Sequence, residues 1–158
     1  MPPALILDLS KIDLNKVLYD RAYVEKINPH RFEMQQLDGI IWHDPETMSI
    51  IGFKDITDKE FWVRGHVPGR PLMPGVIMIE AAAQLASFYY KQLNEGDSRF
   101  MGFAGIEDVK FRGTVMPGDR LYILGTMLEN RPRRLICSAQ GVVKDQMVFQ
   151  AKIIGMPV

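Results

Sequence analysis

Cysteine is almost missing from this chain: Cys137 stands alone among 158 residues. No disulfide can form within one chain, and a reducing compartment is expected. Cys137 lies in the strand-like run RRLICSAQG, where a buried, inert thiol is the expected state rather than a nucleophile. Net charge is missing too. Lys+Arg and Asp+Glu both number 19, whereas a nucleic-acid-binding module carries a clear basic excess. Three histidines and one cysteine fit no standard ligand spacing, so no metal site is expected. No Gly-x-Ser-x-Gly, phosphate-cradling glycine loop or dinucleotide fingerprint occurs. Long apolar runs are lacking as well. The most apolar stretch, Val76 to Tyr90, is interrupted by Glu80 and Gln84, and it falls short of the ~20 residues a membrane-spanning helix needs. The opening MPPALILDLS has neither the basic flank nor the apolar length of a signal peptide. A cytoplasmic protein with no membrane span and no nucleic-acid partner is expected.

What remains is an ordinary globular composition, 47% apolar and 24% charged. The length suits one domain over residues 1–158 that can bury a core without staples. Residues 1–28 read as a partly helical lead-in: Leu14, Val17, Leu18 and Ala22 fall at helical spacing, with Asp13 as the N-cap. GIIWH and TMSIIGF flank Asp44-Pro45-Glu46 and predict a hairpin. KEFWVR predicts a short strand. A loop rich in Gly and Pro follows over 65–74. Pro74 suits a first helical turn, and the helix predicted over 75–93 has no polar stripe before Lys91, so it is expected to be buried on most sides. FMGFAG, EDVKFRGTV, DRLYILGTMLE, RRLICSAQGVV and QMVFQAKIIG then read as consecutive strands, the last three as an antiparallel meander. One long buried helix with an antiparallel sheet around it is an α+β arrangement. Free sheet edges invite pairing with a second copy.

The chemistry concentrates in RGHVPGRPLMPGVIMIEAAAQ, residues 64–84. On the predicted helix Glu80 shares a face with Gln84, one small polar patch on an apolar rod. A carboxyl there is either hydrogen-bonded or protonated, which suits a general acid or base. A structural hydrogen bond is the plain alternative. His66 sits in a loop stiffened by Pro68, Pro71 and Pro74, which would hold an imidazole, the side chain that moves protons near neutral pH. Gly75 opens the helix, where unpaired N–H groups can stabilise a developing oxyanion; alone it is a turn glycine. His30 and His43 have no comparable setting and read as structural.

These residues resemble the signature of the FabZ-type 3-hydroxyacyl-[acyl-carrier-protein] dehydratases. NPHRF upstream, GFAGIEDVKFRGTVMPGD downstream and the later strands extend the likeness over about residues 28–155. The resemblance implies a hotdog fold over a core of residues 29–155, with the sheet wrapped around one long central helix. It implies homodimers, often assembled as trimers of dimers, with a site built from the histidine of one chain and the glutamate of the other. His66 and Glu80 are then the catalytic pair, Gln84 orients the glutamate, and Gly75 supplies the oxyanion N–H. The reaction is loss of water from a 3-hydroxyacyl thioester to give the trans-2-enoyl thioester. It needs no cofactor, and the substrate arrives on the phosphopantetheine arm of an acyl carrier protein. Glu80, where the related isomerases carry aspartate, favours simple dehydration. Val67 follows the histidine where the family has phenylalanine, and Glu33, Gln35 and Gln36 are polar where it is apolar. Val67, Phe103 and Phe111 are candidate tunnel residues, with plain core positions the alternative. Lys110, Arg112, Arg131, Arg133 and Arg134 are candidates for docking an acidic carrier. The competing functions are a thioesterase on the same fold, against which the His66 and Glu80 pair argues, and a non-catalytic acyl-binding protein.

Overall fold

Residues 3–158 are described by a computed structural model. Six strands form one antiparallel sheet: β1 (Gly39–Asp44), β2 (Ser49–Asp55), β3 (Met101–Phe111), β4 (Arg120–Arg131), β5 (Arg134–Val143) and β6 (Gln146–Pro157). Their order across the sheet is β1-β2-β4-β5-β6-β3. The predicted hairpin is β1–β2. It turns where Asp44 Oδ1 accepts the Glu46 N–H at 3.0 Å, the local bond that makes Asp a turn former. The meander β4-β5-β6 also stands as expected.

Helix α2 (Gly75–Leu93) crosses the inner face of the sheet. Its buried side includes Ala81, Ala82, Leu85, Phe88 and Tyr89, each at 0% exposure. Small alanines let the helix approach closely, and each large side chain buried contributes about 1.5–3 kcal/mol. The approach is close enough that a Cβ at Gly52 of β2 would lie 2.8 Å from both Leu37 and Leu85. Only hydrogen fits there. The helix starts after Pro74 with no side-chain cap. It stops at Asn94, whose Nδ2 donates to the Tyr90 carbonyl at 2.8 Å.

Three local expectations are corrected. The lead-in helix does not begin at Asp13, whose Oδ1 accepts from Asn15 N–H at 3.0 Å in a self-contained turn. Helix α1 is Arg21–Ile27, capped by Asp20 Oδ1 on the Tyr23 N–H at 2.9 Å. KEFWVR is a run of turns rather than a strand. Trp62 plugs the core, and bonds one turn apart, Val63 N–H to Glu60 O and His66 N–H to Trp62 O, replace any ladder. FMGFAG and EDVKFRGTV are not two strands. One strand, β3, runs through both and absorbs register shifts between Phe103 and Gly105 and between Glu107 and Lys110.

The lead-in proves to be a strap. Leu5, Ile6, Leu7, Leu9, Ile12 and Leu14 pack on a second apolar cluster of Ile41, Ile51, Phe53, Leu124 and Val142, on the sheet face turned away from α2. Gln140 clamps the strap, accepting from Ile6 N–H at 2.8 Å and donating to Ala4 O at 3.2 Å. Residues 18 and 19 then lie along β1, both donating to the Ile40 carbonyl. Deleting residues 1–14 is expected to uncover this second core. The expected cost is on the order of 3 kcal/mol, which for this size lowers the melting midpoint by about 6–12 °C. Calorimetry on the truncated chain checks it, and an unchanged midpoint would mean the strap stabilises nothing.

Candidate active site

Glu80 lies on the second turn of α2, and its side chain is 25% exposed. Its Oε2 accepts a hydrogen bond from Gln84 Nε2 at 2.7 Å. Gln84 is itself fixed on every side, being 1% exposed. Its Nε2 also donates to Met34 O at 2.7 Å, and its Oε1 accepts from Gln36 N–H at 2.8 Å. Asn28 Nδ2 adds a bond to the Gln84 carbonyl at 3.0 Å. The polar segment EMQQ, which departs from the family pattern, therefore supplies the backbone groups that lock the residue orienting Glu80.

Glu80 faces a cavity of about 260 Å³ whose wall is mostly apolar: Phe103 and Met101 of β3, Leu135 of β5 and Ile153 of β6. On the helix side the cavity runs from Glu80 to Ser87, about 10 Å at 1.5 Å per residue. Of the three predicted tunnel residues, Phe103 lines this cavity. Phe111 packs instead at the helix start, where its ring would lie 2.6 Å from a Cβ on Gly75. Val67 is on an exposed loop with φ +62°, a backbone state that costs a β-branched residue strain.

His66 is next to that strained residue. Its Nδ1 lies 2.6 Å from the Leu72 carbonyl. A carbonyl only accepts, so Nδ1 carries the proton and Nε2 keeps a free lone pair. The loop is anchored beyond it by Met73 N–H on Val115 O at 2.8 Å. Within one chain His66 and Glu80 do not share a cavity: among the described residues that line the space beside Glu80, His66 is not one.

Sequence reasoning missed His30. Its Nε2 lies 3.9 Å from Glu80 Oε2, and it lines the same cavity. Burial pushes its imidazole below the ordinary histidine range; Glu80 pulls the other way and Arg31 reinforces the fall. Arg31 fixes this corner by donating to the carbonyls of Glu25, Asn28 and His30 at 2.7–2.9 Å. Nothing in sequence links residue 30 to residue 80; only the NPHRF likeness points there. His43 is structural, packed between Tyr19 and Tyr89. Cys137 is buried, and burial pushes its thiol up to about 12, which leaves no thiolate for chemistry.

The candidate basic residues form two separate groups. Lys110 and Arg112 lie at the Phe111 end of β3, beside the start of α2. Arg131, Arg133 and Arg134 lie at the β4–β5 turn, by the Met101 end. An eleven-residue strand puts these ends about 30 Å apart. Arg131 and Arg134 both pair with Glu129, at 3.2 and 2.7 Å. No helix among the described residues is long and apolar enough to cross a membrane.

A sheet curled around one long helix, with a clamped carboxyl facing an apolar cavity, defines a hotdog protein built to handle an acyl group. A model of the FabA-like domain matches residues 28–152. The 3-hydroxyacyl-[acyl-carrier-protein] dehydratase FabZ of Desulfotalea psychrophila is 35% identical over 129 residues, covering 80% of this chain and 85% of that protein. The FabZ of Geobacter metallireducens is 36% identical over 141 residues, covering 87% and 93%. Among solved structures, the dehydratase heterocomplex ApeI:P from Xenorhabdus doucetiae superposes with a TM-score of 0.72 at 13% identity, covering 85% of this chain and 90% of that one. Cj0977, a sigma28-regulated virulence protein of Campylobacter jejuni, gives 0.67 at 16% identity, covering 93% and 96%. The solved structures speak to the fold alone. This chain belongs to the FabA-like family, with the FabZ-type 3-hydroxyacyl-[acyl-carrier-protein] dehydratases.

Proposed function

We propose that this protein removes water from 3-hydroxyacyl thioesters carried on an acyl carrier protein, giving trans-2-enoyl thioesters for fatty-acid or related lipid synthesis in the cytoplasm. The observation that carries this reading is the Glu80 carboxyl, held by Gln84 at 2.7 Å and turned to an apolar cavity, in a chain of this family. His66 Nε2 takes the C2 proton. The oxygen of the resulting enolate is held at the helix start by the Gly75 N–H. Glu80 gives its proton to the C3 hydroxyl, which leaves as water. The thioester acidifies C2 by itself, so no cofactor takes part.

The site is completed by a second copy. Phe103, Ile106 and Phe111 of β3 and Val76 of α2 are 46, 38, 51 and 72% exposed, an apolar sheet edge and helix shoulder that a second chain would cover. Such a dimer would bring the partner subunit's His66 to the Glu80 cavity. Lys110 and Arg112 are the better dock for an acidic carrier, because they stand beside the helix start and make no carboxylate pair among the described residues. Arg131 and Arg134 are already neutralised by Glu129.

The test is turnover of 3-hydroxyacyl and trans-2-enoyl thioesters of graded length, on coenzyme A and on carrier protein. Interconversion of the two is expected, faster on the carrier. Release of free thiol instead would mark a thioesterase, and no turnover at any length would leave an acyl-binding protein.

A further inference from the structure

We infer that His30 is a positioning residue for Glu80: as a neutral Nε2–H donor it joins Gln84 on Oε2, so that the acidic proton of Glu80 sits on Oε1 and faces the substrate. This inference rests on the dehydratase reading for its consequence, though not for its geometry.

Three observations carry it. First, His30 Nδ1 is buried with no hydrogen-bond partner. A buried N–H without an acceptor is the rarer and costlier defect than an unfilled lone pair, so the ring proton belongs on Nε2. Second, Nε2 faces Glu80 Oε2 at 3.9 Å. That is longer than a hydrogen bond, and catalytic contacts in unliganded sites are commonly long and tighten with substrate. Third, Gln84 Nε2 already donates to the same oxygen at 2.7 Å, and Gln84 cannot turn round because Met34 and Gln36 hold both ends of its amide. Two neutral donors on Oε2 make it the acceptor oxygen of the carboxyl and leave the hydroxyl on Oε1.

The neutrality of His30 matters. An imidazolium at this distance would pair with Glu80 and hold it as a carboxylate, removing the acid the reaction needs. The surroundings keep the ring neutral. Burial and Arg31 both oppose its charge, and Glu80 is the one group that favours it. The other walls offer no charge: the Phe100 ring lies tilted 6.0 Å away, and Met101, Phe103, Leu135 and Ile153 face the cavity from β3, β5 and β6. Glu33, on the neighbouring turn, is at the surface.

The test is steady-state kinetics of two His30 variants. His30→Gln, whose amide keeps a neutral donor near the same place, should retain most of the kcat that removal of the side chain costs. His30→Ala should lower kcat about tenfold, the loss of one hydrogen bond, with KM little altered. An unchanged kcat in His30→Ala, or a loss in His30→Gln as large as in His30→Ala, overturns the inference. ¹⁵N NMR of the histidine rings tests it independently of turnover. His30 should be the Nε2–H tautomer at pH 7, and an Nδ1–H tautomer or an imidazolium there overturns it even if the enzyme is active. Failure of all 3-hydroxyacyl turnover would instead overturn the dehydratase reading, while the tautomer would still decide the geometry.

Discussion

Glu80→Gln is expected to lower kcat for dehydration by about 10²–10⁴-fold while leaving thermal unfolding close to the wild type. Glutamine keeps the shape of the side chain and can still accept the Gln84 bond, but it has no proton to give. His66→Ala should lose a similar factor, because the Nε2 lone pair freed by the Leu72 contact has no substitute nearby. Steady-state kinetics on one carrier-bound substrate check both; full activity in either variant removes that residue from the chemistry. The pair also tests where the site is assembled. If each site takes its histidine from one chain and its glutamate from the other, coexpressing His66→Ala and Glu80→Gln chains places both lesions in one site of the mixed dimer and leaves the other intact. Random assembly then returns about a quarter of wild-type activity from two inactive parents. A site contained within one chain returns none.

The second large effect is expected at Gly75. A methyl group there meets the Phe111 ring at 2.6 Å. In a single chain this ring is half exposed and would swing clear at little cost. In the proposed dimer, clamped under a partner across β3, it could not move, and the helix start would shift instead. Gly75→Ala is therefore expected to lower kcat by about 10–10²-fold through the displaced N–H, somewhat less than loss of an oxyanion donor outright. Gly75→Ala combined with Phe111→Ala should recover most of that loss, a coupling that independent sites would not show. If Gly75→Ala retains wild-type kcat, the ring is free and the N–H is not held by this contact.

How much of this was written in the sequence depends on the range of the interactions. Helix α2 was legible because fifteen nearly uninterrupted apolar residues after a Pro-Gly start have few other stable outcomes. The β4-β5-β6 meander was legible because each turn carries its own polar or proline signal. Glu80 and Gln84 could be paired because they are one helical turn apart. The failures share a cause. Trp62 is drawn into the core by tertiary packing, so the apolar pattern of KEFWVR reports one anchor and not a strand. Asp13 forms a bond to its own neighbour that competes with helix entry. The His30–Glu80 and Gln36–Gln84 contacts join residues about fifty apart, and local pattern carries no trace of them. The strap could be read as apolar, but not as the lid of a second core.

That strap has a bearing on how the protein behaves when crowded. An open sheet can grow in two directions at its edges and can also stack through its bare face, and each route leads to fibres or precipitates. Here residues 18 and 19 shield β1, and residues 5–14 cover the outer face. β3 is left as the uncovered edge. A contact through one edge related by a two-fold axis is self-satisfying: once two molecules have met, no edge remains for a third. The extension that lies outside the family match is thus expected to make the folded protein resistant to polymerising. A chain trimmed to residues 20–158 would be expected to lose that protection while keeping every residue that lines the Glu80 cavity.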